Sequence, residues 1–175
     1  MSPSRPPSLR AQLIGAWDLI SYTAHLLRPH KHRLPLGPQA RGTILYTPDG
    51  HMSAQLLRPG QPPFAHGDGI TSGTDAEWAS VGKNFVAYSG RFWLDERGGS
   101  KGEEPLLLHE MSVSNLPKLV GQVQRRTVRV SEEEGGVRYL HLGVDRMEVE
   151  GEMRVVEVLW RRREYNAAAQ VPAKL

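Results

Sequence analysis

Hydrophobic residues occur in short runs along this chain, and Gly, Pro and polar residues separate the runs. Within most runs apolar and polar positions alternate, which is typical of β-strands with one buried face. Helical patterns are short: Ser8–Ile14 with Ser8 as N-cap, and Asp75–Phe85 with Asp75 as N-cap. The pattern predicts eight strands and a weaker ninth: Gly15–Ala24, Gly42–Thr47, His51–Leu57, Asn84–Asp95, Leu106–Ser114, Gly121–Ser131, Val137–Leu142, Arg154–Glu164 and, more weakly, Arg146–Glu150.

One hairpin can be placed closely from its turn residues. Thr47-Pro48-Asp49-Gly50-His51 fits a turn that begins with proline and ends with a left-handed glycine, so Thr47 should face His51. The apolar face of the two flanking strands should then point inward. That face consists of Ile44, Tyr46, Met52, Ala54 and Leu56.

The amino-acid composition argues against several classes of function. With 175 residues the chain should form one domain, and with no cysteine it has neither disulfides nor a thiolate metal site. The net charge of +3 is spread along the chain rather than concentrated on one face, which argues against nucleic-acid binding. No signal peptide or membrane span is predicted, so an intracellular, cytoplasmic protein is expected.

Sequence motifs for cofactors and metals are also missing. The chain contains no phosphate-binding glycine loop, nucleophile elbow or dinucleotide fingerprint, so we expect no cofactor. His30 and His32 have a spacing that metals can use, but no third ligand accompanies them in their proline-flanked loop. We therefore predict no metal site.

Five segments, in chain order, resemble the lipocalin-like domain family of fungi and bacteria: LIGAWDLISY, GTILYTPDGHMSAQ, FVAYSGRFWL, HEMSVSNLPKLVGQVQRR and LWRRRE. The resemblance implies an all-β fold, a single eight- to nine-stranded antiparallel lipocalin-like β-barrel with a short N-terminal helix. It spans residues 12–164. We expect residues 1–11 to be a flexible leader and residues 165–175 a C-terminal tail. Family members bind or transform varied small molecules.

The resemblance also assigns a structural role to three residues. In such barrels a Gly-x-Trp pair begins the first strand, its tryptophan closes one end, and an arginine of the last strand packs on the ring. Gly15, Trp17 and Arg162 match this pattern, although the run Arg161-Arg162-Arg163 leaves the register open. A guanidinium over an indole contributes about 0.5–2 kcal/mol.

Strand alternation predicts which side chains line the interior of the barrel. Arg126 should face inward without an acidic partner, because Asp18, Glu110 and Glu157 fall on the outer register. A buried charge needs a partner, which water, a tyrosine hydroxyl, a backbone carbonyl or a ligand oxygen could supply. As candidate catalytic residues we take His109, Arg126, Tyr46 and Tyr88, and as further ligand contacts Ser21, Met52, Phe92, Met111, Gln122, Gln124 and Trp160.

Two functions fit this interior, and purely structural roles for its polar residues stay open beside them. The first is a cofactor-free cyclase or isomerase of a natural-product pathway, in which Arg126 and a tyrosine polarise a carbonyl and His109 moves a proton. The second is a carrier that binds the same small hydrophobic ligand without chemistry. His109 is equally explained as a hydrogen-bonded core residue, and the tyrosines as packing residues. A homodimer is one of the oligomeric states that the sequence allows.

Overall fold

Strands are the main regular secondary structure of the chain, as the alternating pattern predicts. The computed structural model describes residues 7–26, 32–67, 71–96, 104–149 and 151–164. The elements are α1 (Leu9–Leu13), β1 (Gly15–Leu26), β2 (His32–Arg33), β3 (Arg41–Tyr46), β4 (His51–Leu57), α2 (Asp75–Lys83), β5 (Phe85–Asp95), β6 (Leu106–Glu110), β7 (Val113–Ser114), a 3₁₀ turn (Pro117–Leu119), β8 (Val123–Glu132), β9 (Arg138–Val149) and β10 (Glu152–Arg162).

Eight of these strands close into an antiparallel barrel. Their order around the barrel is β10-β9-β8-β6-β5-β4-β3-β1, and β1 pairs back onto β10. The short strands β2 and β7 add to β1 and β5. Closure leaves no exposed sheet edge in the ring. The predicted all-β barrel with a short N-terminal helix is therefore confirmed.

The inward faces of the strands form one continuous core. Thr47 and His51 are joined by a backbone hydrogen bond of 2.9 Å, and Gly50 has the left-handed φ of 91° that the hairpin turn requires. All five residues predicted to point inward from this hairpin are buried: Ile44, Tyr46, Met52, Ala54 and Leu56. The predicted register of this hairpin is confirmed.

One end of the barrel is closed by Trp17. Its indole N–H donates to the carbonyl of Leu13 in α1 at 2.8 Å, and the guanidinium carbon of Arg162 lies 4.9 Å from the ring centroid. Trp17 pairs directly with Arg162 across β1 and β10, which fixes the register of the three consecutive arginines. Gly15 has φ +124°, and a Cβ there would collide with the Arg162 guanidinium. Glycine is therefore required where the chain enters the barrel.

The first strand departs from the predicted alternation. The pairing of β1 with β10 shifts between Leu19 and Ser21, which is the signature of a β-bulge. The bulge reverses the parity of the strand, so Tyr22 and Ala24 follow Leu19 inward. The prediction that Ser21 faces the interior is therefore wrong, because the extra residue turns it to the outer face.

The remaining strand differences are local. The predicted strand Leu106–Ser114 is divided into β6 and β7: β6 ends at Glu110, and after Met111 and Ser112 the chain pairs with β5 again as β7. Conversely, the two segments predicted over 137–150 form one strand, β9, which runs to Val149. Residues 9–11, which the predicted division assigns to the leader, belong to α1, and residues 165–175 lie outside the described residues.

The N-cap of helix α2 lies one residue before the predicted one. Thr74, not Asp75, is the N-cap: its hydroxyl accepts from the Glu77 backbone N–H, and the Glu77 carboxylate accepts from the Thr74 N–H, forming a capping box. Thr74 has the extended backbone that an N-cap requires, whereas Asp75 is already helical. Phe64 packs edge-to-face on Trp78 of this helix, with ring centroids 4.9 Å apart.

Candidate ligand-binding site

Polar side chains from four strands meet inside the barrel. Tyr46 ends β3, Tyr88 lies in β5, His109 in β6, and Gln124 and Arg126 in β8. Successive side chains of a strand point to opposite faces, and each of these residues lies on the inward face of its strand. The strands β5, β6 and β8 are neighbours in the sheet, and Tyr46 reaches the group from the opposite wall.

His109 is fully buried, with 0% of its surface exposed. Its Nε2 lies 3.0 Å from the hydroxyl of Tyr46, and the tautomer decides which of the two groups donates. Its Nδ1 has no hydrogen-bond partner within the described residues. One polar atom of the ring is thus left facing the interior, either as an N–H donor or as a lone pair.

Burial sets the charge of both members of this pair. It lowers the pKa of His109 well below its ordinary value, and the positive charge of Arg126 lowers it further. Burial raises the pKa of Tyr46 well above its ordinary value, and the neighbouring Tyr88 adds to that rise, while Arg126 opposes it. His109 and Tyr46 are therefore both neutral at physiological pH.

Arg126 brings a charge into this interior with only 6% of its surface exposed. Its Nη2 donates to the Gln124 side-chain oxygen at 2.8 Å and to the Tyr88 hydroxyl at 3.4 Å. Both acceptors are uncharged. Its Nε has no acceptor, and no carboxylate pairs with this guanidinium in the described ranges. Glu110, which the alternation assigned to the outer register, pairs with Arg91 at 2.7 Å.

Aromatic and apolar side chains surround the polar group. Phe92 packs edge-to-face on Tyr46 with centroids 5.0 Å apart. Met52, Met111 and Trp160 are buried on the same inward surface, and the indole N–H of Trp160 has no partner in the described part of the chain. An apolar wall with a few convergent polar groups is the usual composition of a small-molecule site.

The interior can be reached from the end opposite Trp17. Tyr22, Val86 and Gln124 are inward-facing but only half-buried. A side chain that faces into a barrel can be exposed only where the interior connects to solvent. Val86 lies at the start of β5, next to the end of β4 and far from the Trp17 end. Solvent therefore reaches these inward-facing side chains from that side.

The structure places nine of the eleven predicted interior residues inside the barrel and the other two outside it. Ser21 lines a depression on the outer face of the barrel, beside His141 and Glu157. Gln122 precedes β8 and is exposed; its backbone hydrogen-bonds to Leu119 and Met111, while its side chain faces away from the interior. The prediction for Gln122 extended the strand alternation two residues too far.

The predicted set lacks two polar residues that the structure places in the interior, Tyr22 and Arg154. Tyr22 was missed because only the bulge in β1 turns it inward. Arg154 lies on the inward face of β10 with 1% of its surface exposed. The alternation Arg154, Val156, Val158, Trp160 was readable from the sequence, so the register of this strand would have found Arg154.

Neither a metal site nor a membrane-spanning helix is found among the described residues. Within the described ranges no group of three or more His, Asp or Glu side chains is arranged to hold a metal ion. His30 lies outside the described residues, and His32 contacts the ring of His25. No helix in those ranges has the length and apolar character needed to cross a membrane.

Comparison with known proteins gives two matches. Residues 14–163 match the family model of the lipocalin-like domain. Over 79 residues the chain is 37% identical to a protein named 4'-hydroxy-3'-methoxypropiophenone carrier protein ppsC, from Aspergillus oryzae (strain ATCC 42149 / RIB 40). The matched region covers 45% of this chain and 70% of that protein.

Proposed function

The chain belongs to the lipocalin-like domain family, and we propose that it is a carrier that holds a small oxygenated aromatic molecule, of the phenolic aryl ketone class, inside its barrel. The observation that carries the proposal is the set of buried hydrogen-bond donors without partners, headed by Arg126 Nε. Leaving a buried polar group unsatisfied costs about 1–3 kcal/mol. A ligand oxygen that accepts from these groups recovers that cost.

The similar carrier protein supports the ligand class. The compound in its name combines an aromatic ring, a phenol and a ketone. Such a molecule needs apolar walls for its ring and donors for its oxygens. Phe92, Met52 and Met111 offer the walls, and Arg126 and His109 offer polar contacts.

Isothermal titration of the protein with 4'-hydroxy-3'-methoxypropiophenone tests the proposal. Arg126→Met keeps the length of the side chain and removes its charge, so affinity should fall about 10- to 100-fold, the worth of a charge-assisted hydrogen bond. Arg125→Met is the matched control, because Arg125 is the neighbouring arginine of β8 and is exposed on the outer face. Equal affinity in the two variants would contradict the proposed site.

A second candidate function, a cofactor-free cyclase or isomerase of a natural-product pathway, is favoured by one observation. His109 has a neutral imidazole whose Nδ1 is without a described partner, and its Nε2 lies 3.0 Å from the hydroxyl of Tyr46. The positive charge of Arg126 is close enough to lower the pKa of His109 further. A neutral histidine can remove a proton from the carbon next to a carbonyl while Arg126 stabilises the enolate oxygen, and it can then return the proton at another position. Tyr46 and Tyr88 would orient His109 and Arg126 during that transfer.

Hydrogen–deuterium exchange in the same ketone separates the two functions. An isomerase should speed exchange of the methylene protons beside the carbonyl, as seen by NMR in D₂O. His109→Phe should then lower the exchange rate about 10²- to 10⁴-fold. A carrier should bind the ketone and return it without accelerated exchange, and His109→Phe should change only its affinity.

A further inference from the structure

The barrel interior contains a second buried guanidinium. Arg154 follows the inward alternation of β10, together with Val156, Val158 and Trp160, and only 1% of its surface is exposed. A buried arginine remains charged, so its environment must supply either an anion or several acceptors. Arg154, like Arg126, therefore needs an anion or several hydrogen-bond acceptors around its guanidinium.

Arg154 lies toward the open end of the barrel. It pairs with Leu26, the last residue of β1, whereas Trp17 at the start of β1 pairs with Arg162. Its neighbour across β9 is Met147, whose sulfur lies 4.0 Å from the Tyr22 hydroxyl. Tyr22 also feels the charge of Arg126, which opposes the larger rise that burial causes in the pKa of Tyr22. Tyr22 is thus close to Arg126 and to Met147, the neighbour of Arg154 on β9.

The hydrogen bonds of Arg154 are incomplete. One nitrogen, Nη2, forms an ion pair with Glu152, whose side chain is 55% exposed. Its Nε and Nη1 are buried and have no acceptor within the described ranges. Arg154 is therefore neutralised by a carboxylate on its solvent side, while two N–H groups remain to be satisfied from within.

The charges of the interior do not balance. Arg126 and Arg154 bring two positive charges. Among the described residues, the carboxylate of Glu152 pairs with Arg154, whereas Arg126 bonds to the uncharged Tyr88 and Gln124. Tyr22 and Tyr46 keep their protons because burial raises their pKa, and they supply no negative charge. The positive charge that is left lies at Arg126, beside Tyr88 and Gln124.

We propose that the ligand binds as an anion through two separate oxygens. An ionised phenol, enol or carboxyl oxygen meets Arg126, and an uncharged acceptor oxygen, such as a ketone, meets the two unpartnered N–H groups of Arg154. This inference rests on the proposed function, because it specifies the charge and the two ends of the carried molecule. It also assigns Arg154 as a specificity-determining residue at the open end.

Three probes test the two ends separately. The first is 4'-hydroxy-3'-methoxypropiophenone, whose phenol ionises with a shift of its absorption to longer wavelength. The second, 3',4'-dimethoxypropiophenone, has no ionisable oxygen. The third, 2-methoxy-4-propylphenol, keeps the phenol and lacks the ketone. Each is titrated against the full chain by calorimetry and absorption at a pH where the free phenols are neutral.

The wild-type protein should bind the first probe with the phenolate absorption band, and should bind the dimethoxy probe at least about tenfold more weakly. Arg126→Met should abolish the band. Arg154→Gln should keep the band and weaken binding of the first probe about tenfold. The propylphenol probe should bind the wild-type protein more weakly, since it lacks the ketone and is a weaker acid, and should show no additional loss with Arg154→Gln. If Arg154→Gln does not fold, Arg154→Lys, which keeps the positive charge beside Glu152 and removes Nε, should weaken binding of the first probe and leave binding of the propylphenol unchanged.

The outcomes distinguish this inference from the function on which it rests. Binding of the phenolic ketone with the spectrum of the neutral phenol would overturn the anionic ligand and leave the carrier function standing. Equal affinity of the wild-type protein for the ketone and the propylphenol would overturn the role of Arg154. Failure of the wild-type protein to bind any of the three probes would overturn the proposed function and this inference together.

Discussion

At the scale of single residues, His109 shows how burial controls chemistry. Its ring is fully buried, one nitrogen is bonded to Tyr46, and the other faces the interior without a described partner. If Tyr46 donates to Nε2, the proton of the ring is on Nδ1 and can be donated to a ligand. In the other tautomer Nδ1 is an acceptor. A neutral His109 can therefore adapt to either kind of ligand oxygen, which a charged imidazolium could not do.

The buried histidine should make the stability of the protein depend on pH. Burial lowers the pKa of His109, so in weak acid the unfolded chain takes up a proton that the folded protein does not. Stability should be constant above the ordinary pKa of 6.5 and should fall as the pH drops below it, by at most about 1.4 kcal/mol per pH unit. His109→Phe should remove this loss. Urea unfolding at about pH 7.5 and about pH 5.5 measures it.

His141 provides the control for this measurement. Its pKa is also lowered, by burial and by Arg129, but it lies on the outer face, where it contacts Ser131 at 2.9 Å. Solvent screens such a group, so His141→Asn should change the acid sensitivity much less than His109→Phe. If both variants lose stability between the two pH values as the wild type does, His109 does not control the effect.

At the scale of elements, the bulge in β1 decides which side chains of this strand face the interior. Ser21 faces outward and Tyr22 inward, the reverse of a regular strand continued from Trp17. We expect Ser21→Gln to change the free energy of unfolding by less than about 0.5 kcal/mol, as outer-face substitutions usually do. Tyr22→Gln should cost about 1–3 kcal/mol, because it removes an aromatic ring from the interior. Chemical denaturation of both variants compares them, and the opposite ranking would mean that β1 has no bulge.

The N-cap of α2 can be tested in the same way. Thr74→Ala removes the hydroxyl that accepts from Glu77 and should destabilise the helix by about 1 kcal/mol. Asp75→Ala is the matched control, since Asp75 lies in the first turn and should cost only a few tenths. Hydrogen exchange of the α2 amides reports this local change. Faster exchange in Asp75→Ala than in Thr74→Ala would restore Asp75 as the cap.

These elements also show what the sequence could and could not predict. Alternation placed His109, Arg126, Tyr46 and Tyr88 in one interior, because the side-chain period of a strand is fixed. It failed at Ser21, since a bulge is set by pairing with β10, a strand more than a hundred residues away. It failed at Gln122 because strand ends depend on where the partner strand stops. Local periodicity therefore predicts faces, whereas the distant partner strand fixes parity and length.

At the scale of the whole molecule, the barrel has two unlike ends. Trp17, Leu13 and Arg162 close one end by packing and hydrogen bonding. The other end admits solvent to inward-facing residues and contains Arg154 beside the half-exposed Glu152. The contacts at the closed end hold β1 and β10 in register, and the polar groups of the interior lie between that end and the solvent-exposed one.

This division predicts that the closed end determines stability and not ligand recognition. Trp17→Ala should lower the free energy of unfolding by about 3–5 kcal/mol, because it removes a fully buried ring and the surface on which Arg162 packs. Trp93→Ala is the control: Trp93 lies on the outer face of β5, is 42% exposed and also packs against an arginine, Arg91. Trp93→Ala should lower the free energy of unfolding by about 1 kcal/mol or less.

Urea denaturation gives both values. Titration of the folded Trp17→Ala protein at low temperature should give an affinity for the phenolic ketone within about threefold of the wild type. Equal midpoints for the two tryptophan variants would mean that Trp17 does not close the barrel, and a large loss of affinity in folded Trp17→Ala would mean that the ligand extends to the closed end.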